Sequence, residues 1–232
     1  MKKQGEIILI NGATSAGKTT LTREVQKLAD RPIMATGYDD FLPMLALKYV
    51  GLDPEITPHH WPCPDPGSPD TQRGFEILRD GEGENRTFRM MVGETAWTLM
   101  VGMRRALAAM AEAGNDLVLA EINTEIMLKD YLDAFKNIER VYMVGVHCPL
   151  EELERREDVM PNRRVGCARM QIEQVHIPGE YDFTVDTGKD DAVECARQIL
   201  EFVDNNPPVV FKKLVERYGD IEPVTEFPVQ WW

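Results

Sequence analysis

"GATSAGKTT", residues 12–20, decides how this chain folds. Gly12, four residues, Gly17, Lys18 and Thr19 fit the pattern G-x-x-x-x-G-K-[ST] of a phosphate-binding loop. The flanks supply the context that the pattern needs. Glu6-Ile7-Ile8-Leu9-Ile10 is an apolar, β-branched run that reads as a buried parallel strand. The stretch after the loop carries Leu21, Val25 and Leu28 at helical spacing. Between a strand and a helix, the glycines let the backbone approach an anion and turn with positive φ. Successive N–H groups at the positive end of the helix then form a cradle for phosphate. Gly12, Ala13, Thr14, Ser15, Ala16, Gly17, Lys18, Thr19 and Thr20 are therefore the candidate nucleotide-binding residues. Lys18 places a point charge on the β- and γ-phosphates of a bound nucleotide, and Thr19 offers its hydroxyl to Mg2+.

Outward from the loop, strands and helices alternate. Residues 32–37 read as a second strand ending at Tyr38-Asp39-Asp40-Phe41, with a helical stretch over 41–50. Six prolines between 54 and 69 predict a long loop. "GFEILRDGEGE" (74–84) reads as a hairpin turning near Asp80-Gly81. A long helix rich in Met and Ala is expected over 87–113, its Met face serving as core, with Gly114-Asn115 ending it. Further buried strands are expected at 117–120, 141–146 and 183–186, and helices at 125–135, from Pro149 onward, at 165–175 and at 191–203. The tail from 205 has a Pro-Pro break, one helix over 210–218 and a Trp231-Trp232 end suited to anchoring on the domain or on a partner. Five strands alternating with helices imply a doubly wound parallel sheet. The expected architecture is thus a three-layer α/β/α P-loop NTPase domain over 1–204 with a five-stranded parallel sheet, a Pro-rich insert (52–86), an Arg-rich lid (155–169) and a C-terminal extension (205–232).

Composition narrows the partners. Of 232 residues, 26 are basic and 39 acidic, for a net charge of −13. Such a chain repels nucleic acid and anionic membranes unless basic residues cluster locally. Cys63, Cys148, Cys167 and Cys195 show no C-x-x-C pairing and read as reduced thiols. No leader segment and no apolar run long enough for a membrane helix is evident, so a cytoplasmic protein is expected. The composition is compatible with a homo-oligomer and does not specify one.

Ligands of doubly wound sheets sit at the carboxyl ends of the strands. That rule points to the loop, to Asp39, to Glu121, and to the segments after Val146 and Asp186. Asp39 stands where a carboxylate can take the proton of a hydroxyl attacking the γ-phosphate, while Asp40 suits a helix cap. Glu121 ends the third apolar strand, where an acid commonly holds Mg2+, and Asn123 can share that work. Arg155, Arg156, Arg163, Arg164 and Arg169 form a basic cluster in an acidic chain. Guanidinium groups there match phosphate oxygens. Pro161-Asn162 breaks the helix, so the cluster suits a closing lid, Arg163 and Arg164 more than the first two, which can pair with Glu151, Glu152, Glu154 and Glu157. His59, His60, Cys63 and Asp65 fit no standard metal spacing and read as a plain loop.

"ILINGATSAGKTTLTREVQ" (8–26), "GYDDF" (37–41), "AGNDLVLAE" (113–121), "VGVHCPLEELERRE" (144–157), "NRRVGCARMQIEQVH" (162–176) and "YDFTVDTG" (181–188) resemble, in order and spacing, the chloramphenicol phosphotransferase-like family over about residues 5 to 203. The resemblance implies an ATP-dependent kinase using Mg2+, with Asp39 as the base on an acceptor hydroxyl and Arg163 as the lid arginine. Three departures stand out: Ala120-Glu121 replaces a pair of acids, the insert between Leu52 and Thr71 is long, and the tail beyond Val203 is extra. The expected activity is therefore phosphorylation of a small-molecule hydroxyl, antibiotic-like or a metabolite. A nucleotide or nucleotide-sugar kinase of zeta-toxin type, and a non-catalytic ATP-binding regulator, are the alternatives.

Overall fold

The computed structural model describes residues 3–53, 63–80, 87–159, 166–177 and 179–231. The main sheet is parallel, with strands β1 (Ile7–Asn11), β2 (Ile33–Gly37), β6 (Asp116–Glu121), β7 (Val141–His147) and β8 (Phe183–Asp186) in the order β2-β6-β1-β7-β8. β1 is central because its four aliphatic residues pack on both faces: Ile7, Ile8, Leu9 and Ile10 are all fully buried. Burial of each contributes on the order of 2 kcal/mol. Helices α1 (Lys18–Leu28) and α8 (Ala192–Asn205) cover one face, closing a core of Ile8, Ile10, Leu21, Val25, Val118, Val144, Cys195 and Ile199. On the opposite face lie α4 (Glu94–Glu112), α5 (Glu125–Phe135) and α9 (Val210–Tyr218), around Ile7, Leu9, Met100, Leu117, Leu128, Phe135 and Phe211. The three-layer P-loop fold expected from the sequence is the one observed. Among the described residues no helix is long and apolar enough to cross a membrane.

A second sheet was not expected. β3 (Val50–Leu52), β4 (Phe75–Asp80), β5 (Thr87–Val92) and β9 (Val229–Gln230) form it in that order. The helix expected over 87–113 therefore begins only at Glu94. Phe88, Met90 and Val92 are buried on one side of β5 in strand alternation, and Gly93 separates the strand from α4. β4 and β5 pair antiparallel from Phe75↔Val92 to Asp80↔Thr87; the hairpin expected within 74–84 thus has its first strand in β4 but finds its second at 87–92, in the stretch expected to be helix, and residues 81–86 lie outside the described residues.

The stretch 41–50 is not a helix. Pro43 cannot continue the single turn α2 (Tyr38–Phe41), and two 3₁₀ turns, Leu42–Met44 and Leu47–Tyr49, carry the chain to β3. Of the Pro-rich segment, residues 54–62 lie outside the described residues, and Pro69–Arg73 forms a short helix, α3, capped by Ser68. α6 (Leu150–Val159) carries the first part of the segment expected as a lid (155–169), of which 160–165 lie outside the described residues, and α7 (Cys167–Gln171) is shorter than the helix expected over 165–175. The tail is integrated: Val210, Phe211, Leu214 and Trp231 belong to the same buried cluster as α4 and α5.

Candidate functional site

The loop after β1 takes the shape its glycines allow. Gly17 has φ 84 and Ser15 φ 60, both left-handed, so consecutive N–H groups turn toward one point. A Cβ on Gly12 would meet the Val146 carbonyl oxygen at 2.7 Å, so only glycine lets β1 leave the sheet beside β7. Lys18 is 9 % exposed, and its Nζ donates to the Ala13 carbonyl at 2.7 Å. The ammonium group thus lies folded over the cradle.

Neighbouring elements clamp the loop from outside. The Thr14 N–H donates to Gln171 Oε1 of α7 at 2.7 Å, Thr187 Oγ1 donates to the Ala16 carbonyl at 2.9 Å, and Arg156 reaches Ser15 and Thr187 carbonyls at 3.3 and 2.7 Å. Arg155 instead forms a two-point pair with Glu152, and Arg169 binds Glu154. Arg163 and Arg164 lie outside the described residues, as do His59 and His60. No cluster of three or more metal-ligating His, Cys, Asp or Glu side chains occurs among the described residues.

A cleft of about 600 Å³ opens from the loop. One end is polar: Thr14, Ser15, Gly17, Lys18, Thr19, Thr20 and Arg23 line it. The other end is apolar, and the second sheet supplies it through Val50, Leu52, Phe75, Ile77, Met90 and Trp231. Tyr38, Asp39 and Asp40 line the same cleft. The two aspartates divide their work. Asp40 Oδ2 accepts from Gly37 N–H and Thr36 Oγ1, both at 3.0 Å, and so caps α2. Asp39 is exposed and lines the cleft. Apart from Lys18, Arg23 is the one basic residue among the described residues that line the cleft. Lys48, Arg79 and Arg89, on the second sheet or beside it, instead pair with Asp70, Asp53 and Asp80.

Glu121 stands apart from the cleft lining. It is 2 % exposed, and its Oε2 accepts from Tyr131 OH at 2.6 Å. Tyr131 in turn lies under the guanidinium of Arg104, 4.3 Å from the ring centroid. Arg104 is 1 % exposed and pairs with Asp130 at 3.2 Å. Burial pushes the Glu121 carboxyl up to about 7, against the opposing pull of the Tyr131 hydroxyl and Arg104. Burial likewise raises the Tyr38 phenol, which also feels Asp39, Arg104 and Glu121. Ser15 Oγ, Tyr38 Oη, Arg104 Nε, Glu121 Oε1, Asn123 Oδ1 and Thr124 Oγ1 are among the buried side-chain polar atoms that find no hydrogen-bond partner among the described residues. They belong to the loop, to the end of β2, to the end of β6 and to the helix behind it. Buried groups left unpaired at the carboxyl ends of the strands suit a site completed by a ligand.

Glu121 has a consequence for stability. Its folded pKa, about 7, lies above the ordinary value of 4.5, so between those limits the folded chain holds more protons than the unfolded chain. Its contribution is fully favourable below pH 4.5 and is lost as pH rises through 7. The loss amounts to on the order of 3 kcal/mol. In the ligand-free protein, Glu121→Gln is expected to remove this slope and to be the more stable form at pH 8. Urea unfolding of both proteins at pH 5, 6, 7 and 8 checks it; parallel curves would contradict the assignment.

The donors also pass a test of fit. A left-handed backbone cradle with a buried lysine suits a polyphosphate. Thr19 Oγ1 and the Asp39 carboxylate in the cleft, with Glu121 Oε1 unpaired behind β6, are oxygen donors of the kind Mg2+ takes. The sequence had singled out Asp39, Lys18 and Thr19, and the fold brings them to one cleft. Gln171, Tyr38, Tyr131 and Arg104 carried no functional reading, and Arg156 was read only as one of a basic cluster. Arg156 looked like a solvated i,i+4 partner of Glu152, a bond it does make, at 2.8 Å, alongside its grip on the loop.

Comparison with known proteins fits this geometry. The family model described as chloramphenicol phosphotransferase-like protein matches residues 5–204. Two curated proteins from Mycobacterium tuberculosis strains, provisionally named O-phosphotransferases, are 31 % identical over 220 residues, covering 93 % of this chain and 90 % of theirs. Among solved structures, a sugar kinase from Janibacter sp. aligns with TM-score 0.54 at 14 % identity, over 88 % of this chain and 96 % of that one. A shikimate kinase from Acinetobacter baumannii, in complex with shikimate, aligns with TM-score 0.52 at 18 % identity over the same shares. The APS kinase of Mycobacterium tuberculosis, in complex with AMPPNP and APS, aligns with TM-score 0.50 at 13 % identity, over 88 % and 99 %.

Proposed function

The chain belongs to the chloramphenicol phosphotransferase-like family, and from that premise we propose that it is an ATP-dependent kinase acting on a hydroxyl group of a small molecule. The observation that carries this reading is one cleft lined together by the phosphate loop, by Asp39 and by the apolar residues of the second sheet.

In this reading the loop amides and Lys18 hold the β- and γ-phosphates of ATP, with Thr19 as the inner ligand of Mg2+. Bound MgATP supplies the electrophilic phosphorus and a leaving group whose charge the metal neutralises. Asp39 accepts the hydroxyl proton as the acceptor oxygen bonds to phosphorus and the bond to ADP breaks. Arg163 is the proposed lid cation. Glu121 acts from behind β6, held by Tyr131. Among the described residues that line the cleft the basic ones are Lys18 and Arg23, and Lys48, Arg79 and Arg89 are engaged with carboxylates, which favours a neutral acceptor over a nucleotide. The apolar wall excludes water, so that transfer outcompetes hydrolysis.

A phosphate-transfer screen with radiolabelled ATP over hydroxyl-bearing antibiotics, nucleosides and sugars tests the reading, with Asp39→Asn as the control. A labelled alcohol product that disappears in the variant is expected. ATP binding without transfer to any alcohol, or transfer that Asp39→Asn leaves intact, would count against it.

A further inference from the structure

The family match ends at residue 204, yet the chain beyond it reaches the cleft. β9 pairs antiparallel with β5 through Met91↔Gln230 and Val92↔Val229, and the Trp231 N–H donates to the Met90 carbonyl at 2.8 Å. These bonds fix the register of the last strand. The indole is consequently delivered to one place: it is 2 % exposed, lines the cleft beside Met90, and meets the Tyr38 ring edge-on with centroids 5.3 Å apart. Tyr38 immediately precedes Asp39. Phe227 packs against Trp97 of α4 at 5.9 Å, so the approach to β9 is anchored as well. A two-residue edge strand has little hydrogen bonding of its own, and the buried indole is what seats it.

We propose that the C-terminal segment is a working part of the acceptor pocket, and that Trp231 sets the size of the apolar body whose hydroxyl reaches Asp39. The inference rests on the kinase reading above for the fate of that hydroxyl, but not for its binding. The wall opposite the phosphate loop consists of Val50, Leu52, Phe75, Ile77, Met90 and Trp231, with no charged side chain among them. A hydrogen-bonding ligand such as a hexose would leave its hydroxyls unpaired against this surface, whereas an apolar ring carrying one alcohol would not. Trp231 is the largest member of the wall and comes from outside the matched family region, so the tail can tune the pocket without altering the phosphate machinery. A single methylene in such a pocket discriminates about 10- to 200-fold.

The test uses the full chain, with Trp231→Ala and Trp231→Phe, and the probes 2-phenylethanol, 2-naphthylethanol, glucose and uridine. Calorimetry gives Kd for each probe and for a non-hydrolysable ATP analogue, and labelled ATP reports transfer. In the wild type, 2-phenylethanol is expected to bind better than glucose or uridine. Trp231→Ala should weaken 2-phenylethanol about tenfold and raise the preference for the naphthyl alcohol by about the same factor. The Kd of the ATP analogue should stay within about twofold, and Trp231→Phe should lie close to wild type. Should Trp231→Ala fail to give a cooperative melt, Trp231→Leu carries the same comparison. An unchanged size preference overturns the role of the tail, and so does a wild type that binds neither aryl alcohol or prefers glucose or uridine. If the aryl alcohols bind as expected but no label is ever transferred, the pocket wall stands and the kinase reading falls.

Discussion

Lys18→Ala is expected to reduce phosphoryl transfer to any acceptor by about a thousandfold in kcat/KM and to weaken binding of the ATP analogue as well. The reason lies in where the ammonium starts. Lys18 Nζ is already desolvated, 9 % exposed, and holds the Ala13 carbonyl at 2.7 Å within the loop it would serve. A cation preorganised at low dielectric stabilises charge on the transferring group without reorganising. Alanine removes that charge and leaves the carbonyl of Ala13 with only the Ala16 N–H, at 3.3 Å, as donor. Lys18→Arg should not rescue, because the planar fork is larger and the site is closed. The fold should survive both changes, since α1 is held by Leu21 and Val25. Calorimetric binding of the analogue, initial rates with labelled ATP, and circular dichroism separate these effects. A Lys18→Ala protein that transfers phosphate at the wild-type rate would remove the loop from the mechanism.

Much of the phosphate end was legible because backbone geometry dictates it. Gly12 faces the Val146 carbonyl and Gly17 takes φ 84, so the motif is a list of places where a side chain cannot be. The strands of the main sheet were legible for a related reason: a strand buried on both faces must be apolar throughout, as Ile7–Ile10 are. The acceptor end was harder. Phe88, Met90 and Val92 read as the start of a Met-rich helix because a short run of period two merges into the helical pattern of α4, and Gly93 is a weak boundary. Pairing of β5 with β4 and β9 involves residues from 75 to 230, and such partners leave no local trace. Trp231 was noticed but not placed.

The buried cluster behind Glu121 did leave a trace. Trp97, Met100, Arg104, Leu107 and Ala111 follow helical spacing and are all buried, so Arg104 occupies the apolar stripe of α4. An arginine in that stripe must find a partner, and Asp130 and the Tyr131 ring supply it. The sequence shows the odd residue but not which helix faces it. The same holds for Gln171, whose grip on Thr14 N–H spans 157 positions.

Asp39→Asn separates the chemical reading from a binding-only one. Asparagine keeps the size of the side chain and its place in the cleft, but it is not a base at neutral pH. Positioned general bases contribute about 10²- to 10⁴-fold, so transfer to the alcohol should fall by on the order of a thousandfold in kcat. Affinity for the ATP analogue should change little, because Asp39 stands on α2 and not in the cradle. The helix start should also hold, since the cap on Gly37 N–H belongs to Asp40, whose Oδ2 accepts at 3.0 Å. Asp40→Ala is therefore the informative partner: it should cost about 1 kcal/mol of stability while leaving most of the rate. If Asp39 merely holds metal, its loss should be partly offset by raising Mg2+ in the assay, with KM for MgATP carrying the defect. If it takes the proton, the defect stays in kcat at every Mg2+ concentration. A double variant with Lys18→Ala then reports coupling: two groups acting on one transition state give losses that do not simply add. Equal and fully additive losses would place Asp39 outside the reacting assembly and leave the cleft a nucleotide site without its acceptor half.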